Sequence, residues 1–412
     1  RAHTHTPPHH RPTTRAPTTL HGTSPAYDGL LGGLGVMMLL GSLSMRHMEH
    51  TGHWVTGMNN QIVWGMPHVF AIFLIVAASG ALNVASIASV FSKKIYEPMG
   101  RLSALLAIAL LAGGLVVLLL DLGRPDRLIV AMTYYNFKSI FAWNIILYTG
   151  FFAFVGIYLW TMMDHNVYKY KKFAGFAAFI WRLVLTTGTG SIFGFLVARS
   201  AYDAALMAPM FIIMSFSFGL AIFILVLMAT YKWTGMELGD AVVQRLRNLL
   251  GVFVASVLYF TAVYHVTNLY ATQHHEVEKF LLLEGGIYTS VFWIGEVIIG
   301  GIIPLILIYA PGIKSCRTTL GFICGLIIIG GLSKVYTILI AGQAFPLEIF
   351  PGYEVSSSFY DGVVNSYTPT LPEILLGLGG VALSLFIVTF AMKVLRFLPA
   401  SLADSVADPH AK

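Results

Sequence analysis

The chain has 412 residues and a formal net charge of +6, with 57% of its residues hydrophobic and only 11% charged, and its mean hydropathy is +0.75. A water-soluble globular domain of this size needs far more charge on its surface, so the solvent for most of this chain is lipid. The basic excess does not point to nucleic acid, because Lys and Arg sit in the tails and in short connections between apolar segments, the distribution that membrane topology imposes.

Residues 1–24 are rich in His, Pro and Thr and have no apolar core. They read as a disordered, solvated tail rather than a secretory signal. A metal-binding role for the scattered histidines is the less favoured reading. Ten segments then reach the roughly 20 apolar residues that a bilayer crossing requires: 27–46, 61–91, 99–121, 139–163, 172–199, 205–231, 245–270, 289–310, 317–341 and 371–397. The expected fold class is an all-α integral membrane protein, with a membrane domain over 25–397 and a second tail over 398–412.

Ten crossings leave both termini on one face. On that face and in the tails lie seventeen of the 25 Lys and Arg residues; Arg46, Arg124, Arg127, Lys138, Arg199 and Lys279 lie on the other, and Arg182 and Lys334 fall inside spans. The positive-inside rule therefore predicts cytoplasmic termini. The long connection 342–370 lies on the outer face and carries Glu348, Glu354 and Asp361 but no Lys or Arg. It reads either as a docking surface for a soluble partner or as a cap over the helix ends. Cys316 and Cys324 are too few to hold an iron–sulfur cluster or structural zinc alone, so any cluster is expected on another polypeptide.

Ionisable groups in lipid cost at least a few kcal/mol each and are functional candidates by default. Counting about 1.5 Å per helical residue, His68, Glu296 and Lys334 lie about 10 Å, and His265 about 7 Å, inside the outer ends of their spans. Glu296 and Lys334, at matched depth on consecutive antiparallel helices, are expected to form a buried ion pair, either fixing helix register or serving a proton route.

His68 closes the stretch Gly57–His68, which supplies Asn59, Asn60 and Gln61 as amide donors, Trp64 as a flat wall, Gly65 for close approach and Pro67 in the first helical turns. Such a mouth suits a flat, apolar head group with carbonyl acceptors; an ordinary interfacial helix entry is the plainer reading. The third span ends in Leu120-Asp121-Leu122-Gly123-Arg124-Pro125, where Asp121 and Arg124, spaced i, i+3, are expected to pair across one turn. Ser139 opens the fourth span, and Ser191 closes the small-residue run Thr186–Ser191 in the fifth, whose glycines are expected to let helices pack closely. Asp203 follows just beyond.

The sequence Leu120-Asp121-Leu122-Gly123-Arg124-Pro125-Asp126-Arg127-Leu128, with the Gly65–His68 helix entry, resembles the NrfD/PsrC family of quinone-interacting membrane subunits over roughly residues 27–397. Ten spans are more similar to its longer relatives in sulfite-reduction-associated and hydrogenase-associated complexes than to the eight-span polysulfide reductase subunit. The resemblance implies two four-helix bundles, here 61–199 and 205–341, flanked by the first and last spans. It implies a menaquinone or ubiquinone site near the outer face of a prokaryotic inner membrane, with no haem or cluster on this chain. A ferredoxin-like iron–sulfur subunit and further catalytic or cytochrome subunits are the implied partners. His68 matches the family's quinone-associated histidine in position, whereas the stretch around Gly188–Phe195 lacks the expected tyrosine.

The expected quinone site is therefore His68, Asn60, Trp64, Asp121, Arg124, Ser139 and Ser191, and the expected proton groups are His265, Glu296, Lys334 and Asp203. On this reading the chain belongs to an oxidoreductase without carrying a complete active site. Three alternatives stand beside it: a secondary transporter, whose site would lie nearer the midplane; a haem-b cytochrome using His68 and His265; and a purely structural anchor.

Overall fold

A computed structural model describes residues 17–18, 24–312, 316–347 and 362–407. Among the described residues, ten apolar helices are long enough to cross a membrane: Pro25–Thr51, Met66–Ser89, Lys94–Leu120, Ile140–Met163, Tyr168–Gly194, Met207–Thr234, Asp240–Tyr270, Ile287–Tyr309, Arg317–Ala344 and Leu371–Val394. They are the ten segments read from the sequence, with ends moved by at most five residues. We refer to them as the first to tenth spans.

Two short strand pairs tie one end of the array together. Pro17–Thr18 pairs antiparallel with Leu398–Pro399, and Glu237–Leu238 pairs in parallel with Ser401–Leu402. Both tails and the connection between the sixth and seventh spans thus share a face, as an even number of crossings requires. The first 24 residues otherwise lie outside the described residues apart from Ser24, which caps the first span by accepting from Tyr27 N.

The second span is the axis of the molecule, buried over 94% of its apolar window, whereas the first is buried over only 11%. Glycine makes that central position possible where the second and sixth spans cross. A Cβ added to Gly80 would lie 1.5 Å from the Ser215 carbonyl oxygen, and one added to Gly219 would lie 2.2 Å from Ala81 N. Backbone, not a flexible side chain, fills the space. Gly80→Ala should therefore force the helices apart at an overpacking cost of about 1–3 kcal/mol or more, read as a lower melting temperature of the solubilised protein. The fifth span obeys the same rule: Cβ atoms on Gly188 and Gly190 would meet Leu147 and Ala208, which is the close packing expected of Thr186–Ser191.

One expectation is corrected here. The second span begins at Met66, with Pro67 in its first turn, so His68 lies about 3 Å along the helix rather than about 10 Å inside it. Residues 57–65 are instead a folded entry. Asn59 Oδ1 accepts from the amides of Gln61 and Ile62, a local turn that competes with helix. Of the long connection between the ninth and tenth spans, residues 348–361, including Glu348, Glu354 and Asp361, lie outside the described residues.

Candidate functional site

The third span ends at Leu120, and the chain then leaves helical geometry, with Arg124 at φ −141° and ψ 70°. That exit breaks the i, i+3 relation on which an Asp121–Arg124 pair depends. Arg124 turns outward and forks onto Asp126, with Nε and Nη2 donating at 3.1 and 2.9 Å. This hydrogen-bonded partner holds the Asp126 carboxyl below its ordinary range.

Asp121 turns inward and meets His68. Its Oδ2 lies 2.6 Å from His68 Nδ1, with the Asp121 side chain fully enclosed and that of His68 12% exposed. The approach is close but not aligned as a hydrogen bond, and neither Asp121 oxygen has a completed partner. Trp64 stacks on the imidazole at 6.3 Å between centroids and 26° between planes. Phe141 and Phe193 pack against Trp64 at 6.2 and 6.0 Å.

The structure brings His68, Asp121 and Trp64 together. Ser139 and buried Ser191 lie each two residues before Phe141 and Phe193, so the fourth and fifth spans border the cluster through their aromatics. Asn60 and Arg124 are exposed. Tyrosine is absent from Gly188–Phe195, but buried Tyr202 packs on Phe193 at 5.5 Å.

A set of polar groups holds this mouth, of which Gln61 was expected from the sequence and Gln343, Tyr367 and Glu373 were not. Gln343, in the ninth span, accepts from Val63 N and Trp64 N and donates to Trp64 O. Gln61 donates towards the carbonyls of Gln343, Ala344, Phe345 and Val363, and Arg199 donates to Gln343 O and Gln61 O. On the other side, fully buried Glu373 accepts from Gly57 N, Thr370 N, Thr370 Oγ1 and Tyr367 Oη. Tyr367 Oη in turn accepts from Met66 N at 2.6 Å. Burial, and then the charge of Glu373, push the Tyr367 phenol far above its ordinary range, so it remains a donor. Glu373 closes the capping box Thr370-Leu371-Pro372-Glu373, a pattern the sequence carries.

A second polar group of residues lines the seventh span. Lys334 donates to Glu296 Oε1 at 2.5 Å and to Thr261 Oγ1 at 2.8 Å, so the expected ion pair forms, enclosed at 4% and 5% side-chain exposure. One turn further along the seventh span, His265 Nδ1 lies 2.7 Å from Glu278 Oε2, and Asn268 Nδ2 donates to Glu278 Oε1. Thr261, His265 and Asn268 recur at i, i+4 and i+7 and so share one helix face. Glu278 lies in the connection after the seventh span, where periodicity gave no reason to expect burial. A cavity beside Glu296 and Lys334 has room for about one water. Glu296 sits in a π-helical stretch, Val291–Ile302, and Lys334 precedes another, Thr337–Ala341; such irregularity is frequent at functional sites. Asp203 is exposed, with φ 58°, and does not join this group.

Residues 54–347 match the family model described as "Polysulphide reductase, NrfD". The chain belongs to the NrfD family. It is 30% identical to the Hdr-like menaquinol oxidoreductase integral membrane subunit of Archaeoglobus fulgidus, over 86% of this chain and 90% of that protein. The C subunit of selenate reductase from Mesobacillus selenatarsenatis is 24% identical over 86% of this chain and 91% of its own length. The C component of polysulfide reductase from Wolinella succinogenes is 26% identical over 69% of this chain and 96% of its own length. The NrfD match spans the second to ninth spans and so contains His68, Asp121, His265, Glu296, Lys334 and Gln343, while the first and tenth spans, with Glu373, lie outside it.

Proposed function

We propose that this NrfD-family chain is the quinone-interacting membrane subunit of a multi-subunit respiratory oxidoreductase, passing electrons between the quinone pool and an iron–sulfur partner. The names of its relatives, which are components of menaquinol, selenate and polysulfide oxidoreductases, support both the redox role and the presence of catalytic partners. The observation that carries the reading is the enclosed Asp121 carboxylate, lacking a completed hydrogen bond, beside His68 and walled by Trp64.

Those residues fit a quinone head group: the ring has an aromatic wall to lie on, and a quinol hydroxyl has an acceptor to donate to. A bound quinone supplies two-electron, two-proton chemistry. His68 exchanges a proton with Asp121 across the Nδ1–Oδ2 contact. Trp64, Phe141 and Phe193 exclude water from that exchange. Asp121 passes the proton towards the outer face at the end of its helix.

The Thr261–His265–Asn268 face supports a further role on the same chain. In this reading Lys334, Glu296, His265 and Glu278 carry protons in a second bundle, 205–341, beside the first, 61–199. The termini are cytoplasmic in a prokaryotic inner membrane, and the ferredoxin-like partner docks on the opposite face. A transporter is the less favoured reading because Asp121 and His68 lie at helix ends rather than at the midplane.

The test uses the purified complex and reduced 2,3-dimethyl-1,4-naphthoquinone. Saturable oxidation of this quinol by the partner clusters is the expected result. Substrate uptake into vesicles lacking any redox partner, with no quinol binding, would replace the proposal with the transporter.

A further inference from the structure

Gln343 has an unusual set of partners. Its side-chain amide, 2% exposed, makes four hydrogen bonds: Oε1 accepts from Val63 N at 2.9 Å and Trp64 N at 3.0 Å, and Nε2 donates to Trp64 O at 3.1 Å and Leu339 O at 2.9 Å. The amide therefore stands in for the neighbouring strand or helical turn that Val63 and Trp64 lack. Both lie just before the second span starts, where backbone groups have no intrahelical partner.

The other end of this arrangement is Leu339 O, in the π-helical stretch Thr337–Ala341. It also accepts from Tyr202 Oη at 3.1 Å, and Tyr202 packs on Phe193, which packs edge-on against Trp64. The links close a loop from Trp64 through Gln343, Leu339, Tyr202 and Phe193 back to Trp64. Nine residues before Gln343, on the same span, Lys334 grips Glu296. One continuous helix thus carries the buried ion pair at one level and the backbone clamp on the Trp64–His68 mouth at another. The π turn lies between them. A π ladder is wider than an α ladder, so conversion between the two would alter the rotation of Gln343 relative to Lys334.

We propose that Gln343 is a positioning residue for the Trp64–His68 mouth and that through it the ninth span couples the geometry of that mouth to the Lys334–Glu296 pair. The inference rests on the quinone reading for its consequence in turnover but not for its geometry. Among the described residues the four side-chain hydrogen bonds of Gln343 go to backbone groups, and its role is exerted through Trp64. The proposed coupling carrier is the π turn Thr337–Ala341, its π and α forms being the two arrangements that a coupling claim requires.

Hydrogen–deuterium exchange and steady-state kinetics on the intact complex test it together. Gln343→Met removes all four hydrogen bonds at nearly constant volume and leaves two amides without partners. It should speed exchange of the Val63 and Trp64 amides about tenfold or more, and raise the KM for reduced dimethylnaphthoquinone about tenfold with kcat changed less than about twofold. Glu296→Gln should speed exchange at the same two amides about threefold in the native background and add nothing in the Gln343→Met background. Native exchange at Val63 and Trp64 in Gln343→Met would overturn the proposal. So would purely additive effects in the double variant, which would mean two unconnected defects. Gln343→Asn, with the same chemistry on a shorter stem, takes the place of Gln343→Met if that variant does not assemble. A complex that shows the expected exchange pattern yet neither binds nor oxidises the quinol would refute the quinone reading while leaving the clamp intact.

Discussion

His68→Ala is expected to reduce quinol oxidation by about 10²–10⁴-fold, the usual contribution of a positioned proton donor or acceptor, while leaving the complex assembled. The reasoning is local. His68 is partly exposed at the first turn of its helix, and its ring meets Trp64 and Asp121 rather than filling the core. Removing it deletes little buried volume but strips Asp121 of the imidazole that lies 2.6 Å from its Oδ2. Asp121→Asn keeps the shape and removes the charge, so it should lower turnover to a similar degree and abolish any further effect of His68→Ala. Full turnover in His68→Ala, measured with the same quinol, would remove His68 from the site.

Lys334→Met carries the largest expected cost to stability. Glu296 and Lys334 are both almost fully enclosed, and removal of one partner of a buried pair leaves an uncompensated charge, at a cost of about 3–5 kcal/mol. The double variant Lys334→Met, Glu296→Gln should recover most of that loss, because both charges leave together. Thermal unfolding of the complex in nanodiscs measures both. The proton role makes a separate prediction: Glu296→Gln should retain quinol oxidation but lose the coupled acidification in closed vesicles. Unchanged acidification would confine the pair to holding the eighth and ninth spans in register.

Much of the membrane architecture is legible in the residues alone. The ten spans stand out because bilayer crossing demands a length and apolarity that no other element shares. The Glu296–Lys334 pair is legible because consecutive antiparallel helices place residues at matched depth side by side. The His68–Asp121 contact is not. Sequence places Asp121 one turn from Arg124, and that neighbourhood vanishes once the helix ends at Leu120. Glu278 is hidden for a related reason: a connection folded inward beneath the helix ends carries no periodic signal.

The clamp on the mouth lies furthest out of reach. Gln343 and Trp64 are separated by 279 residues, and Met66 and Tyr367 by 301. By itself the sequence determined how many times the chain crosses lipid, which face collects the basic residues, and which helices carry charge. These follow from hydropathy and from the cost of charge in hydrocarbon, properties each residue has wherever its neighbours fall. Only the tertiary structure decided which carboxylate meets His68 and which amide fixes Trp64. Those choices depend on where helices stop and how the ends of distant spans meet, and backbone groups left unpaired at helix ends must take whatever partner the packing brings.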